Sequence, residues 1–354
     1  MPEALGRPRS PRILLILVAG IGDFVMASPA LRAIRTGFPE AHLTLLTTPQ
    51  VAELATPCPL LDEVVTFDLR TFRPLGTGMG WVGWRELWDV LRTLRSHEFH
   101  YAVNLYHIAS LGGALRMAVL VHGVRAGYTV GRWSGGLGAF YGIRTPDHPH
   151  QVDAMLSVAE ALGCPISDRR PELWIPSGPR RAACQRLQEV NLSPESPYIT
   201  MNISSARPEA RLPVDLTVRI AREVHRATAW PILFTGDASA IPAVTAVSSE
   251  IGHAARNLAG RTSLLELAAI LGASRLVLTT DSGPMHVAAA VGTPLLALFG
   301  PADPANFGPR GVPDRIAIIQ GRSTPRDPKR WAHDLPVAEV VQAVLCLLAA
   351  RNSS

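Results

Sequence analysis

Ile13-Leu14-Leu15-Ile16-Leu17-Val18-Ala19-Gly20-Ile21-Gly22-Asp23, running on into Pro29-Ala30-Leu31-Arg32-Ala33-Ile34, reads as a buried strand, a glycine-containing turn and the start of a helix. Far along the chain the same grammar returns. An apolar strand at 276–279 leads into Asp281-Ser282-Gly283-Pro284-Met285-His286, then Ala288-Ala289-Ala290, and later Leu298-Phe299-Gly300-Pro301. Continuous apolar runs of this kind suit strands covered on both faces, and therefore a parallel sheet. Two such units predict an α/β chain with two nucleotide-fold halves.

The texture between these segments agrees. Residues 27–36 have helical spacing, and Gly37-Phe38-Pro39 stops them. Strands are expected at 42–47, 63–67 and 101–105, with helices at 111–121 and 150–162. Trp174-Ile175-Pro176-Ser177-Gly178-Pro179 breaks the pattern and reads as an interdomain linker. The alternation then restarts, with strands at 198–203, 231–234, 276–279 and 295–299 and helices at 214–228, 263–271 and 285–291. Strands alternating with helices imply parallel sheets covered on both sides. The expected domains are 1–175 and 176–354, with residues after Pro301 forming loops and then a final helix that could pack back on the first domain.

A chain of 354 residues suits two domains. Hydrophobic residues make up 47% and charged residues 18%, so the chain is globular rather than disordered. The net charge of +5 rests almost wholly on arginine, Lys329 being the only lysine. That mild balance suits anionic partners such as nucleotides or a membrane surface, and no nucleic-acid motif accompanies it. Cys58, Cys164, Cys184 and Cys346 are scattered, which supports neither a zinc site nor a disulfide framework and fits a reducing cytoplasm. Arg7, Arg9 and Arg12 before an apolar run mimic a signal peptide. The glycine turn and amphipathic helix that follow favour a buried first strand. No stretch reaches the 18 or so uninterrupted apolar residues of a membrane span.

Several motifs carry chemistry. Gly20 and Gly22 sit where a strand meets a helix, a place that favours an anion. A dinucleotide fold would also need a third glycine and an acid ending the second strand. That strand ends Thr47-Thr48-Pro49, which argues against a dehydrogenase. Asp23 reads either as a helix cap or as a carboxylate placed to remove a hydroxyl proton. In the second half, Asp281 follows a buried strand and Ser282 and Gly283 offer backbone N–H groups at a helix start. These groups and His286 form either a diphosphate cradle or an ordinary capped helix. Ser204, Ser205 and Arg207 end another strand, as a phosphate loop or a polar turn. Gly236-Asp237 ends the next strand and reads as a tight turn or a ribose contact. Trp81, Trp84 and Trp88 fall at helical spacing beside Leu87, Leu91 and Leu94, a face that packs on the first domain or meets a lipid-linked acceptor. His148 and His150 have no third ligand nearby, and no Asp-x-Asp pair occurs, so no metal site is expected.

At these residues the chain resembles the bacterial heptosyltransferases of glycosyltransferase family 9. The likeness runs nearly end to end. It includes the Gly22-Asp23 turn with Pro29-Ala30-Leu31-Arg32, Gly37-Phe38-Pro39-Glu40-Ala41, the strand 101–105 ending near His107, and Asn257-Leu258-Ala259-Gly260-Arg261-Thr262-Ser263-Leu264-Leu265-Glu266-Leu267. The Asp281-Ser282-Gly283-Pro284-Met285-His286 block, with Phe299-Gly300-Pro301 after it, is its most specific part. Two positions depart from the family. Its Lys-x-Trp-Pro pattern becomes Ala210-Arg211-Leu212-Pro213, and its acid after the next strand is represented only by Asp237.

The resemblance implies a GT-B fold, two Rossmann-like domains with parallel sheets facing a central cleft. It implies an inverting, metal-independent glycosyltransferase moving a heptose from ADP-L-glycero-D-manno-heptose to a lipopolysaccharide-core or related surface glycan. Asp23 would be the general base, beside Gly20 and Gly22 at the acceptor turn. Ser204, Ser205, Ser282, Gly283 and His286 would hold the donor, with Asp281 near its sugar and Arg207 or Arg211 in place of the lysine. No cofactor is expected. The enzyme would be a cytoplasmic monomer in peripheral contact with the inner face of the cytoplasmic membrane, with no nucleic-acid partner. Transfer of a different nucleotide sugar, and sugar-nucleotide epimerisation on the same fold, are the alternatives. Epimerisation would convert the donor without an acceptor.

Overall fold

The structure, a computed structural model, describes residues 9–67, 80–322, 330–333 and 335–352, and of 80–84, 333, 351 and 352 the backbone alone. Arg7, Lys329, residues 68–79, and the side chains of Trp81 and Trp84 lie outside the described residues. The chain forms two compact units that divide between Arg169 and Arg170, slightly before the division at 175/176 read from the sequence.

The first unit runs β1 (Arg12–Leu17), α1 (Ile21–Gly37), β2 (His42–Thr47), α2 (Pro49–Ala55), β3 (Glu63–Thr66), α3 (Gly80–Arg95), β4 (Tyr101–Asn104), α4 (Leu111–Gly123), β5 (Tyr128–Arg132), β6 (Ile143–Thr145) and α5 (Gln151–Ala161). Its strands pair in parallel in the order β3-β2-β1-β4-β5-β6. The second unit runs α6 (Ser177–Glu189), β7 (Ile199–Asn202), α7 (Val214–Thr228), β8 (Ile232–Thr235), α8 (Ile241–Ile251), β9 (Ala255–Asn257), α9 (Leu264–Ala273), β10 (Leu276–Thr280), α10 (Gly283–Ala290), β11 (Leu295–Phe299), α11 (Pro304–Phe307), β12 (Ile316–Gln320), α12 (Arg330–His333) and α13 (Val337–Asn352). Its sheet is also parallel, ordered β12-β11-β10-β7-β8-β9.

Numbered from its own first strand, each sheet has the order 3-2-1-4-5-6 of a doubly wound nucleotide fold. The order reverses between β1 and β4 in one unit and between β7 and β10 in the other. Connections leave in opposite directions at such a point, so a crevice opens at the carboxyl ends of those two strands. The residues that follow β1, β7 and β10 are the ones singled out above as chemical. Burial explains why the central strands were legible: Ile13 through Leu17 and Leu295 through Phe299 have no exposed surface.

Sequence reading missed β5, β6, β9 and β12, and also α6 and α8. β6 and β9 are three-residue edge strands too short to show an apolar run, and β12 is an apolar but half-exposed edge strand set among prolines and charges. Residues after Pro301 are therefore not all loop, because β12 completes the second sheet. The proline-rich stretch is likewise more than a linker. Pro176 is the N-cap of α6, where a missing N–H does no harm. At the end of the chain, Val340, Val344 and Leu347 of α13 join the core of the second unit with Leu216 and Ile220 of α7.

One local device supports the first turn. Pro29 lies inside α1 and cannot donate to the Val25 carbonyl four residues back. The buried Ser28 hydroxyl donates to that carbonyl instead, at 2.7 Å. Ser28→Ala leaves the Val25 carbonyl short of this donor, and is expected to cost the first unit about 1–2 kcal/mol, read from urea denaturation as an earlier midpoint with an unchanged slope.

Candidate functional site

In the first unit, β1 ends into Val18-Ala19-Gly20. Gly20 is the N-cap of α1 in an extended conformation, and its N–H donates to Asp23 Oδ2 at 3.1 Å. The Asp23 carboxylate thus closes the helix start from its first turn. Gly20 needs no special dihedral, since its φ is −84°, and a Cβ there would lie 3.6 Å from Asp23 Oδ2. Gly22 lies in the same turn. Burial holds the Asp23 carboxyl above the usual carboxylate range, with the Gly20 N–H and the Arg132 charge pulling the other way.

Sequence reading did not find the neighbours of Asp23. Arg132 ends β5 almost completely buried and donates from Nη1 to Gln151 Oε1 at 2.7 Å. Beyond it the chain takes three consecutive left-handed residues, Ser134 (φ 48°), Gly135 (φ 60°) and Gly136 (φ 97°). Asp147 fastens that turn by accepting from the Ser134 and Gly135 N–H groups at 2.9 and 2.8 Å. Strain of this kind persists where the surroundings over-determine it. Among the described residues, Arg132 Nε, Ser134 Oγ and Thr145 Oγ1 are buried without a hydrogen-bond partner, an unfilled polar capacity. At the end of β4, Asn104 donates to Tyr141 Oη at 2.7 Å and accepts from the Tyr106 N–H at 2.9 Å. Burial and then the Asp23 charge push the Tyr106 phenol up. Burial and then Arg132 push the His107 imidazole down, which keeps it neutral near pH 7. The one available clue was a charged residue closing the short strand Tyr128-Thr129-Val130-Gly131-Arg132.

In the second unit, the segments after β7 and β10 meet at the switch point. Ser282 is the N-cap of α10, but its hydroxyl turns back to the Thr280 carbonyl at 3.1 Å and makes no cap bond. Pro284 carries no N–H. The helix start therefore keeps its positive end open, with the buried His286 in the first turn. The loop after β7 crosses to this place. Ser205 Oγ donates to the Asp281 carbonyl at 3.3 Å, and Arg207 forms an ion pair with the Asp281 carboxylate. Arg211 Nε donates to the Ser205 carbonyl at 2.8 Å and so braces the loop from within. Burial raises the Asp281 carboxyl, while Arg207 lowers it. Ser204 comes close because Gly236 has no side chain: a Cβ there would meet Ser204 Oγ at 3.1 Å and Ala240 Cβ at 2.5 Å. The structure thus ties Ser205 and Arg207 to Asp281, with Arg211 bracing Ser205, the Ser204 carbonyl accepting from the Thr280 hydroxyl, and Ser282, Gly283 and His286 following Asp281 into the start of α10. Asp237 caps the next short helix through Ser239, which is the tight-turn reading.

The remaining motifs resolve simply. Leu87, Leu91 and Leu94 are the buried stripe of α3, whereas Trp88 faces outward, 53% exposed, with the Arg95 guanidinium 5.5 Å from its ring centre. His150 caps α5 by accepting from the Val152 N–H at 3.1 Å. Among the described residues no three His, Cys, Asp or Glu side chains gather as a metal site.

The model of glycosyltransferase family 9 (heptosyltransferase) matches residues 87–333. The lipopolysaccharide core heptosyltransferase OpsX of Haemophilus influenzae is 24% identical over 93% of this chain and 90% of its own length. The crystal structure of a family 9 glycosyl transferase from Veillonella parvula superposes with a TM-score of 0.82 at 22% identity, over 98% of this chain and 99% of that one. Heptosyltransferase WaaC of E. coli, solved with ADP-2-deoxy-2-fluoro heptose, superposes with a TM-score of 0.72 at 16% identity, over 94% and 99% of the two chains. The fold is GT-B.

The raised Asp23 carboxyl makes a thermodynamic prediction. A carboxyl raised in the folded state adds stability at pH values below its unfolded pKa, and that stability is lost as pH rises through the folded pKa. Asp23→Asn removes the cost of burying the charge. The variant is therefore expected to melt higher than the parent at pH 7–8, and the gain is expected to vanish on acidification through the carboxylate range, as followed by calorimetry.

Proposed function

The chain belongs to glycosyltransferase family 9, and from that premise we propose that it moves a heptose from ADP-heptose to a lipopolysaccharide-core or related surface-glycan acceptor, inverting the anomeric centre without a metal ion. One observation carries the reading: an open helix start, an arginine loop and a histidine converge at the switch point of the second unit. Glycosyl transfer builds positive charge on the sugar ring and negative charge on the departing diphosphate. Preorganised donors aimed at that negative charge are a large catalytic term. The Gly283 N–H, the α10 dipole, His286 and Arg207 supply them from the protein itself, which supports departure without a metal. The diphosphate competes with Asp281 for Arg207, and Asp281 then lies free toward the sugar. That a family relative was solved with an ADP-heptose analogue supports ADP-heptose as the donor.

Asp23 is the base in this reading. It stands at the corresponding place in the first unit, and burial raises its carboxyl above the usual carboxylate range, the direction that makes a carboxylate a stronger base toward a hydroxyl proton. The unsatisfied polar atoms of Arg132, Ser134 and Thr145 nearby favour binding of a polar acceptor on that unit. Inversion follows if the acceptor oxygen attacks from the face opposite the diphosphate. No described helix is long and apolar enough to cross a membrane. Exposed Trp88 and the arginines of α3 support peripheral contact of a cytoplasmic monomer with the inner membrane face.

Asp23→Asn is expected to lower kcat by about 10²- to 10⁴-fold while ADP binding persists in calorimetry; turnover near that of the parent contradicts the assignment. Arg207→Gln is expected to raise the donor KM by about tenfold or more, the scale of a lost charge-assisted bond. Transfer is expected to be indifferent to EDTA, and a loss restored by Mg²⁺ contradicts the metal-independent mechanism.

A further inference from the structure

Trp331 is fully buried in the core of the second unit, yet its polar edge serves the loop after β7. Its indole Nε1–H donates to the Glu209 carbonyl at 2.8 Å. A buried indole N–H needs a partner, and this one is bonded to a segment 122 residues away in sequence. Two strand-end glycines make the seat. A Cβ at Gly300, after β11, would meet Trp331 Nε1, Cε2 and Cδ1 at 2.5, 2.6 and 2.7 Å. A Cβ at Gly321, after β12, would meet the Trp331 carbonyl oxygen at 2.3 Å. The ring therefore lies against bare backbone at Gly300 and the main chain of Trp331 against Gly321, so neither glycine can gain a side chain without moving Trp331.

The position of Glu209 gives this contact a consequence. The segment 205–211 starts at the end of β7, passes the end of β10 and reaches Trp331 at the end of β11. It is fastened at its near end by Ser205 to the Asp281 carbonyl, in the middle by Arg207 to the Asp281 carboxylate, and within itself by Arg211 to the Ser205 carbonyl. Those anchors lie in the first stretch of the loop or at the switch point. The indole holds the far side, two residues past Arg207. Beyond it the Leu212 N–H donates to the Ile203 carbonyl at 3.2 Å, so without the indole the turn Pro208–Ala210 stays anchored at both ends but loses its tie to Trp331, and Arg207 loses a brace two residues away from its ion pair with Asp281.

We propose that Trp331 is a positioning residue for the nucleotide diphosphate: its indole N–H pins the Glu209 carbonyl and so holds Arg207 where the diphosphate binds. The inference rests on the donor reading given above. It makes the seat formed by Gly300, Gly321 and Trp331 part of donor affinity, although none of the three residues touches the donor.

The test uses the full chain, with ADP as the probe in titration calorimetry and ADP-heptose in steady-state kinetics. Trp331→Phe keeps an aromatic ring and removes the N–H. It is expected to raise the ADP Kd and the donor KM by about three- to tenfold, the scale of one neutral hydrogen bond, and to leave the acceptor KM unchanged. A packing role alone would lower the melting temperature and the active fraction without this split between donor and acceptor. Where Trp331→Phe fails to fold, benzothienylalanine at position 331 decides, because it keeps the ring shape against Gly300 and replaces only the N–H. A folded variant of either kind that binds ADP within twofold of the parent overturns the proposal. A parent that binds no ADP, UDP or GDP overturns the donor reading itself, and this inference with it.

Discussion

A parallel sheet covered by helices on both faces can keep its strands only if they are almost wholly apolar. Chemistry is therefore confined to the strand ends, and chiefly to the carboxyl end where the strand order reverses and neighbouring connections part. Both units obey this constraint with the same order, and in both the residues just beyond the reversal are polar. The inward faces of β1, β10 and β11 are closed to solvent, so Asp23 and the segment from Asp281 to His286 are the first places along those strands where polar groups can serve a ligand. The order of the strands thus fixes where the two sites lie before any side chain is considered.

The two reversals differ in charge, and the roles proposed for them follow that difference. In the first unit a carboxylate is raised by burial, with a buried arginine as its counterweight. Such a group trades stability for reactivity, as functional residues commonly do. In the second unit the start of α10, with His286 in its first turn, follows directly on Asp281, which Arg207 pairs with. The proposed base suits the first arrangement and the proposed anion site suits the second. Identical topology therefore does not imply two copies of one function.

Much of this was legible in the sequence, for physical reasons. Central strands declare themselves by continuous burial, as 42–47 and 295–299 did to the residue. The helix 214–228 was equally clear, because its apolar face repeats at 3.6 residues and Pro213 precedes it. Edge strands did not, since segments such as Ile143–Thr145 and Ala255–Asn257 are three residues long and carry mixed residues. The donor-side cluster was legible because it is assembled from two short local motifs. The surroundings of Asp23 were not, because Arg132, Asp147 and Gln151 come from separate elements and carry no shared spacing. Trp331 was invisible for the same reason: its role depends on two distant glycines and one backbone carbonyl. Trp88 shows the converse, a residue with the right spacing for a buried face that the leucines fill instead.

The central claim is that the second reversal, not the first, holds the nucleotide. Backbone amide shifts of ¹⁵N-labelled protein titrated with ADP test it most directly, because both turns carry observable N–H groups. The account predicts the largest changes at Gly283, Met285 and His286 and along 204–207, with Gly20, Gly22 and Asp23 nearly still. Largest changes at Gly20 to Asp23 would contradict it.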